Sequence, residues 1–280
     1  MNCILCNNSS LTLFSGDSYM KLPVYFCANC QLYITGNSHI EVKEKSEEIY
    51  KKSYWDENKS EESIRSNFTD VYSQDKRRQW VSQYAYCLPY LNNKKNFLEI
   101  GTGAGQTIFW FEDIGFQVTG IEPDERNVKL INGKLKRGHC VTGYAEDLNM
   151  EGQFDVIWIS HVFEHLVRPD EFLKKCKTHL NPDGMIFIEI PNCENQIILK
   201  SSIHDNPSTF HFTRNGLLKL AQNCGFNVQR CDFFRSPTLF EGALNKITKR
   251  YFSSIKNPYQ YYPKIISNNK DGTDIRLILK

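Results

Sequence analysis

Several absences narrow the possibilities before any motif is considered. No stretch approaches the ~20 consecutive apolar residues that a bilayer span requires. The opening Met1-Asn2-Cys3-Ile4-Leu5-Cys6 has no basic segment followed by an apolar run. Neither a membrane-spanning helix nor a secretory leader is expected, and a cytoplasmic location is. Charge of one sign is also missing. Thirty-four Lys and Arg face 32 Asp and Glu, a net +2, so no global basic field exists to hold a phosphate backbone through counterion release. Nucleic acid is not an expected partner. The local exception is Lys246 to Lys280, where six Lys and two Arg are opposed by Asp271 and Asp274. It reads first as a solvated basic tail, with peripheral membrane contact as the alternative. With 280 residues, 40% apolar and 24% charged, the chain can form one large domain plus a small appendage.

Cysteine is plentiful, ten in all. In a short secreted protein that would mean disulfides, but this length without a leader argues for reduced thiols. Four of the ten form two identical Cys-x-x-Cys pairs, Cys3 with Cys6 and Cys27 with Cys30. A tight turn lets both sulfurs of a pair face one ion, and two such turns supply four thiolates to a closed, structural Zn²⁺ site. Four unligated core cysteines are the bland alternative. A redox dithiol fits less well, since neither pair opens a helix after a strand. Leu11 to Phe14 and Val24 to Phe26, around a Gly16-Asp17 turn, suit the short strands of a zinc ribbon. Residues 1–38 are therefore read as a zinc-ribbon module, 39–90 as a linker and helical lead-in, and 91–280 as the main domain. The stretch Glu41 to Glu62, rich in Glu, Lys and Ser, is read as a linker or a solvated helix and carries Tyr50, Tyr54 and Trp55. Beyond it Val71, Tyr72, Trp80, Val81, Tyr84 and Leu88 recur at helical intervals until Pro89.

The main domain opens with an apolar run, Asn96 to Ile100, cut off by Gly101-Thr102-Gly103-Ala104-Gly105 and followed by Thr107 to Phe111 with helical character. Glycines serve where backbone must approach a ligand or take positive φ, so this loop is shaped to cradle something at a helix N-terminus. A dinucleotide fingerprint would want glycine at 106, but Gln106 stands there and acidic Glu99 precedes the loop. That carboxylate suits a cationic ligand better than a pyrophosphate. The second strand, Phe116 to Ile121, ends in Glu122-Pro123-Asp124, where a carboxylate can accept both hydroxyls of a vicinal diol. Further strands are read at His139 to Val141, Phe154 to Ile159 and Met185 to Ile190, with a helix from Pro169 to Leu180 and a last strand at Asp274 to Leu279. This alternation predicts an α/β fold with a doubly wound, mostly parallel sheet.

The segments Glu99 to Gly105, Glu122 with Asp124, Phe154 to Ile157, Ser160 to Leu166 and Leu180 to Gly184 resemble, in order, the motifs of class I S-adenosylmethionine-dependent methyltransferases. The likeness runs over roughly residues 70 to 235. It continues through His211-Phe212-Thr213, Leu217-Leu218 and Cys224-Gly225-Phe226. Within that family the sequence is similar to ubiquinone-type enzymes and to zinc-ribbon-bearing bacterial methyltransferases of sugars and natural products. The resemblance implies a seven-stranded Rossmann-like sheet whose last strand is antiparallel. It implies cofactor contacts at Glu99, Gly101, Thr102, Gly103, Gly105, Glu122, Asp124, Ala145, Glu146, Asp147 and Ser160. Glu99 and the glycine loop would take the methionine part, Glu122 the ribose, and Glu146 or Asp147 the adenine. Having both Glu122 and Asp124 leaves open which carboxylate holds the sugar.

Methyl transfer proceeds by in-line attack on the carbon beside a sulfonium, and a hydroxyl nucleophile must lose its proton. His161 and His165 follow the fourth strand, at the edge where open α/β sheets bind ligands. If the segment is helical, their i, i+4 spacing puts both rings on one face. His165 is the first choice of general base and His161 the second, against a purely structural role; a His-x-x-Glu-His metal site is disfavoured because Arg168-Pro169 breaks the helix. Asn192 and His211 are secondary candidates for substrate contact. The expected reaction is methylation of a hydroxyl of a small molecule: a sugar nucleotide, a surface-glycan precursor in polysaccharide biosynthesis, or a secondary metabolite. The alternatives are C-methylation and a non-catalytic zinc-ribbon adaptor with a vestigial pocket. The C-terminal stretch suggests an amphipathic helix through Ile247, Tyr251 and Ile255, then the cluster Tyr259, Tyr261 and Tyr262.

Overall fold

The computed structural model describes residues 2–7, 9–49, 74–148, 152–241, 265–267 and 270–280. The chain begins with three short antiparallel strands, β1 (Thr12–Ser15), β2 (Val24–Cys27) and β3 (Leu32–Thr35). Helix α1 (His39–Ile49) follows; it buries Val42, Ser46 and Ile49 on one face, where Val42 and Ile49 cluster with Met20 and Val167. A solvated linker helix, one of the two expectations for this stretch, is thereby corrected over 39–49, because its i, i+4, i+7 face is buried. Tyr50, Tyr54 and Trp55 lie outside the described residues, as do Val71 and Tyr72.

Helix α2 (Gln74–Cys87) runs into a 3₁₀ turn, Leu88–Tyr90, that contains Pro89. Its Trp80 and Val81 are buried, and Trp80 stacks on Trp110 at 5.0 Å between ring centroids. There follow β4 (Asn96–Ile100), α3 (Gln106–Asp113), β5 (Gln117–Glu122), α4 (Glu125–Asn132), β6 (His139–Thr142), β7 (Phe154–Ser160), α5 (Pro169–Thr178) and β8 (Leu180–Pro191). The chain continues through α6 (Gln196–His204), β9 (Phe210–His211), α7 (Arg214–Asn223), β10 (Val228–Arg235), β11 (Ile265–Ser267) and β12 (Asp274–Leu279). The basic C-terminal helix and the tyrosine cluster expected around it lie outside the described residues.

The large sheet has the order β11-β10-β12-β8-β7-β4-β5-β6. Strands β6, β5, β4, β7 and β8 are parallel; β12, β10 and β11 add antiparallel. The seven expected strands are present, and the three-residue β11 makes an eighth at the edge. Both faces are covered, so the strands read as apolar runs rather than alternations. Leu98, Ile100, Ile157 and Ile159 face α5 and α7, while Phe97, Val156 and Trp158 face α2, α3 and α4. Each large apolar side chain buried this way contributes ~1.5–3 kcal/mol relative to exposure. The order reverses between β4 and β7, and there the C-terminal strand ends splay to leave a ligand crevice.

The N-terminal strands do not stand apart. Strand β3 pairs with β9, giving a second sheet of order β1-β2-β3-β9. Cys3, Cys27, Cys30, Leu32 and Ile34 belong to the same apolar cluster as Leu217 and Leu220 of α7. Among the described residues no helix is long and apolar enough to cross a membrane.

Candidate active site

A cavity of about 870 Å³ opens at the C-terminal edge of β4, β5 and β7, lined by Gly101, Gly103, Ala104, Glu122, Ala145, Asp147, Ser160, His161 and His165. The loop after β4 makes one wall. Gly101, Gly103 and Gly105 all have positive φ, at 72°, 52° and 79°. A Cβ on Gly103 would meet nothing within 4 Å, so the backbone is bared to the cavity there. On Gly101 it would sit 2.4 Å from Val162 Cγ2, so this glycine keeps the β4 loop and the β7 loop in contact.

Three expected contacts lie beneath the cavity wall instead. Glu99 is buried, with the Thr107 hydroxyl and the Ile108 amide on its carboxyl, and burial pushes that carboxyl well above the usual carboxylate range. One of its oxygens is buried without a hydrogen-bond partner. Thr102 packs against Cys140 and over Gly120, where a Cβ would lie 2.6 Å from its methyl. Gly105 is the N-cap of α3 and faces Ile131 and Phe109. None of these three lines the cavity.

The acidic residues after β5 divide the work. Glu122 Oε2 accepts from the Gly103 amide at 2.9 Å and Oε1 from the Asp124 amide at 3.2 Å, fixing the carboxylate at the crevice. Burial raises its pKa to about 7 against the effect of those amides. Asp124 is committed elsewhere: it caps α4 by accepting from the Arg126 amide and receives the Arg126 guanidinium on both oxygens at 2.8 and 3.0 Å. Glu146 lines the cavity too, but its Oε1 accepts from the amides of Val167 and Arg168 at 2.8 and 2.9 Å and so holds the loop before α5.

The floor of the cavity does not have the helical geometry that the histidine spacing suggests. His161 sits at φ 54° in the left-handed region, and only a single 3₁₀ turn, Phe163–His165, follows. The rings are therefore not stacked on one α-helical face. His161 Nδ1 lies 3.5 Å from Glu164, and its Nε2 lies 3.5 Å from Glu189 and 3.7 Å from Asp274. Burial alone would lower its pKa, but Glu164 and Glu189 raise it to about 10. A ring held in its protonated form by two carboxylates is poorly suited to accept a proton, which favours His165 of the two candidates. Glu189 is fully buried and also receives Arg276 Nε at 2.5 Å and Gln83 Nε2 at 3.1 Å. Gln83 further donates to Ser160 Oγ at 2.9 Å.

His165 differs. Its Nδ1 lies 3.1 Å from the Pro207 carbonyl. A carbonyl only accepts, so in the neutral ring Nδ1 carries the proton and Nε2 is the basic nitrogen. Asn192 and His211 are fully buried and outside the cavity. Asn192 Nδ2 donates to the Gly272 carbonyl at 2.8 Å, and burial lowers the His211 pKa to about 3, so both are structural.

The four paired cysteines converge. The two Cys-x-x-Cys turns share one conformation: Asn7 N–H bonds to Cys3 O at 2.8 Å and Gln31 N–H to Cys27 O at 2.7 Å, with φ of 53° and 55° at Asn7 and Gln31. The Cys3–Cys30 and Cys6–Cys27 sulfurs are 3.8 and 3.7 Å apart, and all four lie within 4.8 Å of one another. Four sulfurs placed tetrahedrally ~2.3 Å from one centre are about 3.8 Å apart, so the donor set fits zinc.

Sequence reasoning missed the roof and the buried polar floor. Lys43, Ser46 and Glu47 of α1 line the cavity opposite the glycine loop. The spacing of Val42, Ser46 and Ile49 was the available signal. Glu189 and Arg276 were visible as lone charges inside two apolar runs.

A nucleoside-sized crevice at the switch point of a doubly wound sheet, with a glycine loop and a carboxylate held beside it by backbone amides, defines a Rossmann-like nucleoside-cofactor fold. The sequence profile of the methyltransferase-domain family matches residues 72–231, and the chain belongs to that family, the class I S-adenosylmethionine-dependent methyltransferases. A ubiquinone biosynthesis O-methyltransferase of Caulobacter vibrioides is 36% identical over 101 residues, 34% of this chain and 40% of the relative. The match thus spans well under half the length of that curated protein. A S-adenosylmethionine-dependent methyltransferase from Archaeoglobus fulgidus shares the fold, with a TM-score of 0.53 at 20% identity over 74% of this chain and 94% of that one. The plantazolicin methyltransferase BpumL in complex with SAH shares it with a TM-score of 0.55 at 17% identity, over 85% and 98%.

Proposed function

We propose that this chain transfers the methyl group of S-adenosylmethionine to a hydroxyl of a small-molecule acceptor. The observation that carries this reading is a single cavity joining the glycine loop and Glu122 to His165. Gly101 and Gly103 would bind the methionine part through bare backbone, and Glu122 the ribose hydroxyls, since Asp124 is spent on Arg126. Asp147 and Ala145 would flank the adenine. When bound, the cofactor supplies an electrophilic methyl on a sulfonium. His165 Nε2 takes the proton from the acceptor hydroxyl, with Nδ1–H held on Pro207. Ser160 and the His161 imidazolium shape the acceptor end. The name of the curated relatives, O-methyltransferases of ubiquinone biosynthesis, favours oxygen over carbon and a ubiquinone-type acceptor over a sugar. The sugar-nucleotide and glycan-precursor classes rest on the sequence resemblance alone.

Residues 1–38 form, in this reading, a ribbon around a structural zinc, 39–90 lead into the main domain, and 91–280 hold the cofactor. Calorimetric titration with S-adenosylhomocysteine, with zinc measured on the same sample, tests both halves. Micromolar binding lost in Glu122→Ala, with one zinc per chain, is expected. Labelled methyl transfer to catechol, lost in His165→Gln while S-adenosylhomocysteine still binds, tests the base. No cofactor binding in the wild-type chain overturns the reading.

A further inference from the structure

The strand that leaves the cysteine cluster reaches, through one layer of hydrogen bonds, the backbone on which His165 is mounted. Strand β3 starts two residues after Cys30 and ends at Thr35, which is fully buried. It pairs with β9 through Tyr33 opposite His211 and Ile34 opposite Phe210. Thr35 extends that pairing: its amide donates to the Thr209 carbonyl at 3.0 Å and its hydroxyl to the Ser208 carbonyl at 3.0 Å. Thr209 in turn grips the histidine turn from the other side. Its amide donates to the Glu164 carbonyl at 2.9 Å and its hydroxyl to the His165 carbonyl at 3.1 Å. The same segment supplies Pro207 O, on which the His165 ring donates from Nδ1.

The protons in this layer can be followed. Thr35 has one hydroxyl proton, and a carbonyl can only accept, so that proton goes to Ser208 O. The hydroxyl oxygen must then accept from His211 Nε2–H, 3.1 Å away. With its proton on Nε2, the neutral His211 accepts at Nδ1 from Ser202 Oγ, 2.7 Å away. Removing the Thr35 hydroxyl leaves Ser208 O and His211 Nε2–H short of this partner in a buried site. Such groups are costly to leave unmade, and the 207–209 segment must shift to find substitutes. Two of the contacts that hold His165, the ring bond to Pro207 and the bond to its carbonyl from Thr209, sit on that segment.

We infer that Thr35, on the strand anchored by Cys27 and Cys30, is a positioning residue for methyl transfer that sets the ring of His165 through the 207–211 segment. The ribbon is then a strut for the base rather than a separate binding module. This rests on the proposed role of His165 as general base and on the metal holding β3 in place. A displacement of the base near 1 Å costs up to about 100-fold in rate, and a lost hydroxyl with a retained fold costs less, about tenfold.

The test uses the full zinc-loaded chain labelled with [¹⁵N]histidine, with the His165 resonances assigned by their absence in His165→Gln. Thr35→Val is expected to move both His165 ring nitrogens and to slow methyl transfer to catechol about tenfold. Its affinity for S-adenosylhomocysteine is expected to stay within about twofold. Thr35→Ser, which keeps the hydroxyl, should restore both. Thr209→Val, which removes only the bond to the His165 carbonyl, gives the same comparison if Thr35→Val does not fold. Unmoved His165 resonances with an unchanged rate overturn the inference. Equal losses of rate and cofactor affinity also overturn it, since they mean general loosening. Wild-type rates in His165→Gln, or no transfer to catechol by the wild-type chain, count against the proposed function instead, and the resonances then decide the strut alone.

Discussion

Replacing Arg276 by methionine removes a charge from a fully buried ion pair under the cavity floor. Arg276 and Glu189 are both fully buried, with Nε of one 2.5 Å from Oε2 of the other. Arg276 also donates to Ser82 Oγ at 2.7 Å and lies over the Phe234 ring at 4.0 Å. Methionine keeps most of the stem volume, so the cavity cost is small and the electrostatic one dominates. Breaking a buried pair by removing one partner costs ~3–5 kcal/mol, because an uncompensated charge is left in low dielectric. Glu189 retains Gln83 at 3.1 Å and the His161 imidazolium at 3.5 Å, which places the expected cost at the lower end, about 3 kcal/mol. For a domain of this size that lowers Tm by roughly 6–12 °C. Urea unfolding followed by tryptophan fluorescence measures it, with Glu189→Leu and the double variant completing the cycle. The double variant should be more stable than Arg276→Met, since it leaves no lone charge. A single-variant cost below about 1 kcal/mol, or a double variant no better than the single, would refute the reasoning.

Gly101→Ala would put a Cβ 2.4 Å from Val162 Cγ2 at a φ of 72°. It should cost about 2 kcal/mol and weaken S-adenosylhomocysteine binding at least tenfold by calorimetry. In the proposed reading Glu122, raised by burial to about 7, would bind the ribose hydroxyls only as the anion, and those hydroxyls would lower its pKa in the complex. S-adenosylhomocysteine affinity should therefore rise with pH up to about 7 and flatten above, with proton release near pH 6.5. Calorimetry in buffers of different ionisation enthalpy reads this release, and Glu122→Gln should abolish it. Cys27→Ser should remove the zinc, measured by mass spectrometry of the metal, and lower Tm. An unchanged metal content in that variant would sink the four-thiolate assignment.

The catalytic sheet was legible because its strands are buried on both faces. Asn96 to Ile100, Phe154 to Ile159 and Met185 to Ile190 are mostly apolar runs, each with a single acid, stopped by glycine or polar turns, and no other element of this length buries them so well. The cysteine turns were legible because equal spacing between thiols is a geometric statement. The histidine turn was not. The i, i+4 rule presumes an α-helix, whereas His161 takes a left-handed φ of 54° that places its ring among Glu164, Glu189 and Asp274. Nothing in residues 160–166 announces that, because two of the three carboxylates come from β8 and β12.

The same distance in sequence explains why the histidine turn was noticed and its setting missed. Glu189 and Arg276 each interrupt an apolar strand by a single charge, and only the antiparallel register of β8 with β12, which puts Arg276 opposite Glu189, turns two anomalies into one pair. Thr35 and Thr209 carry no signal of their own, since a threonine near the end of a short strand is unremarkable. They acquire a role through the β3–β9 pairing, a contact across 176 positions between the Thr35 hydroxyl and His211. Local pattern reveals elements that must be apolar or glycine. It is silent on polar groups whose partner is set by register, and the buried layer of Thr35, Ser208, Thr209 and His211 is such a set, joining the ribbon to the turn that carries His165.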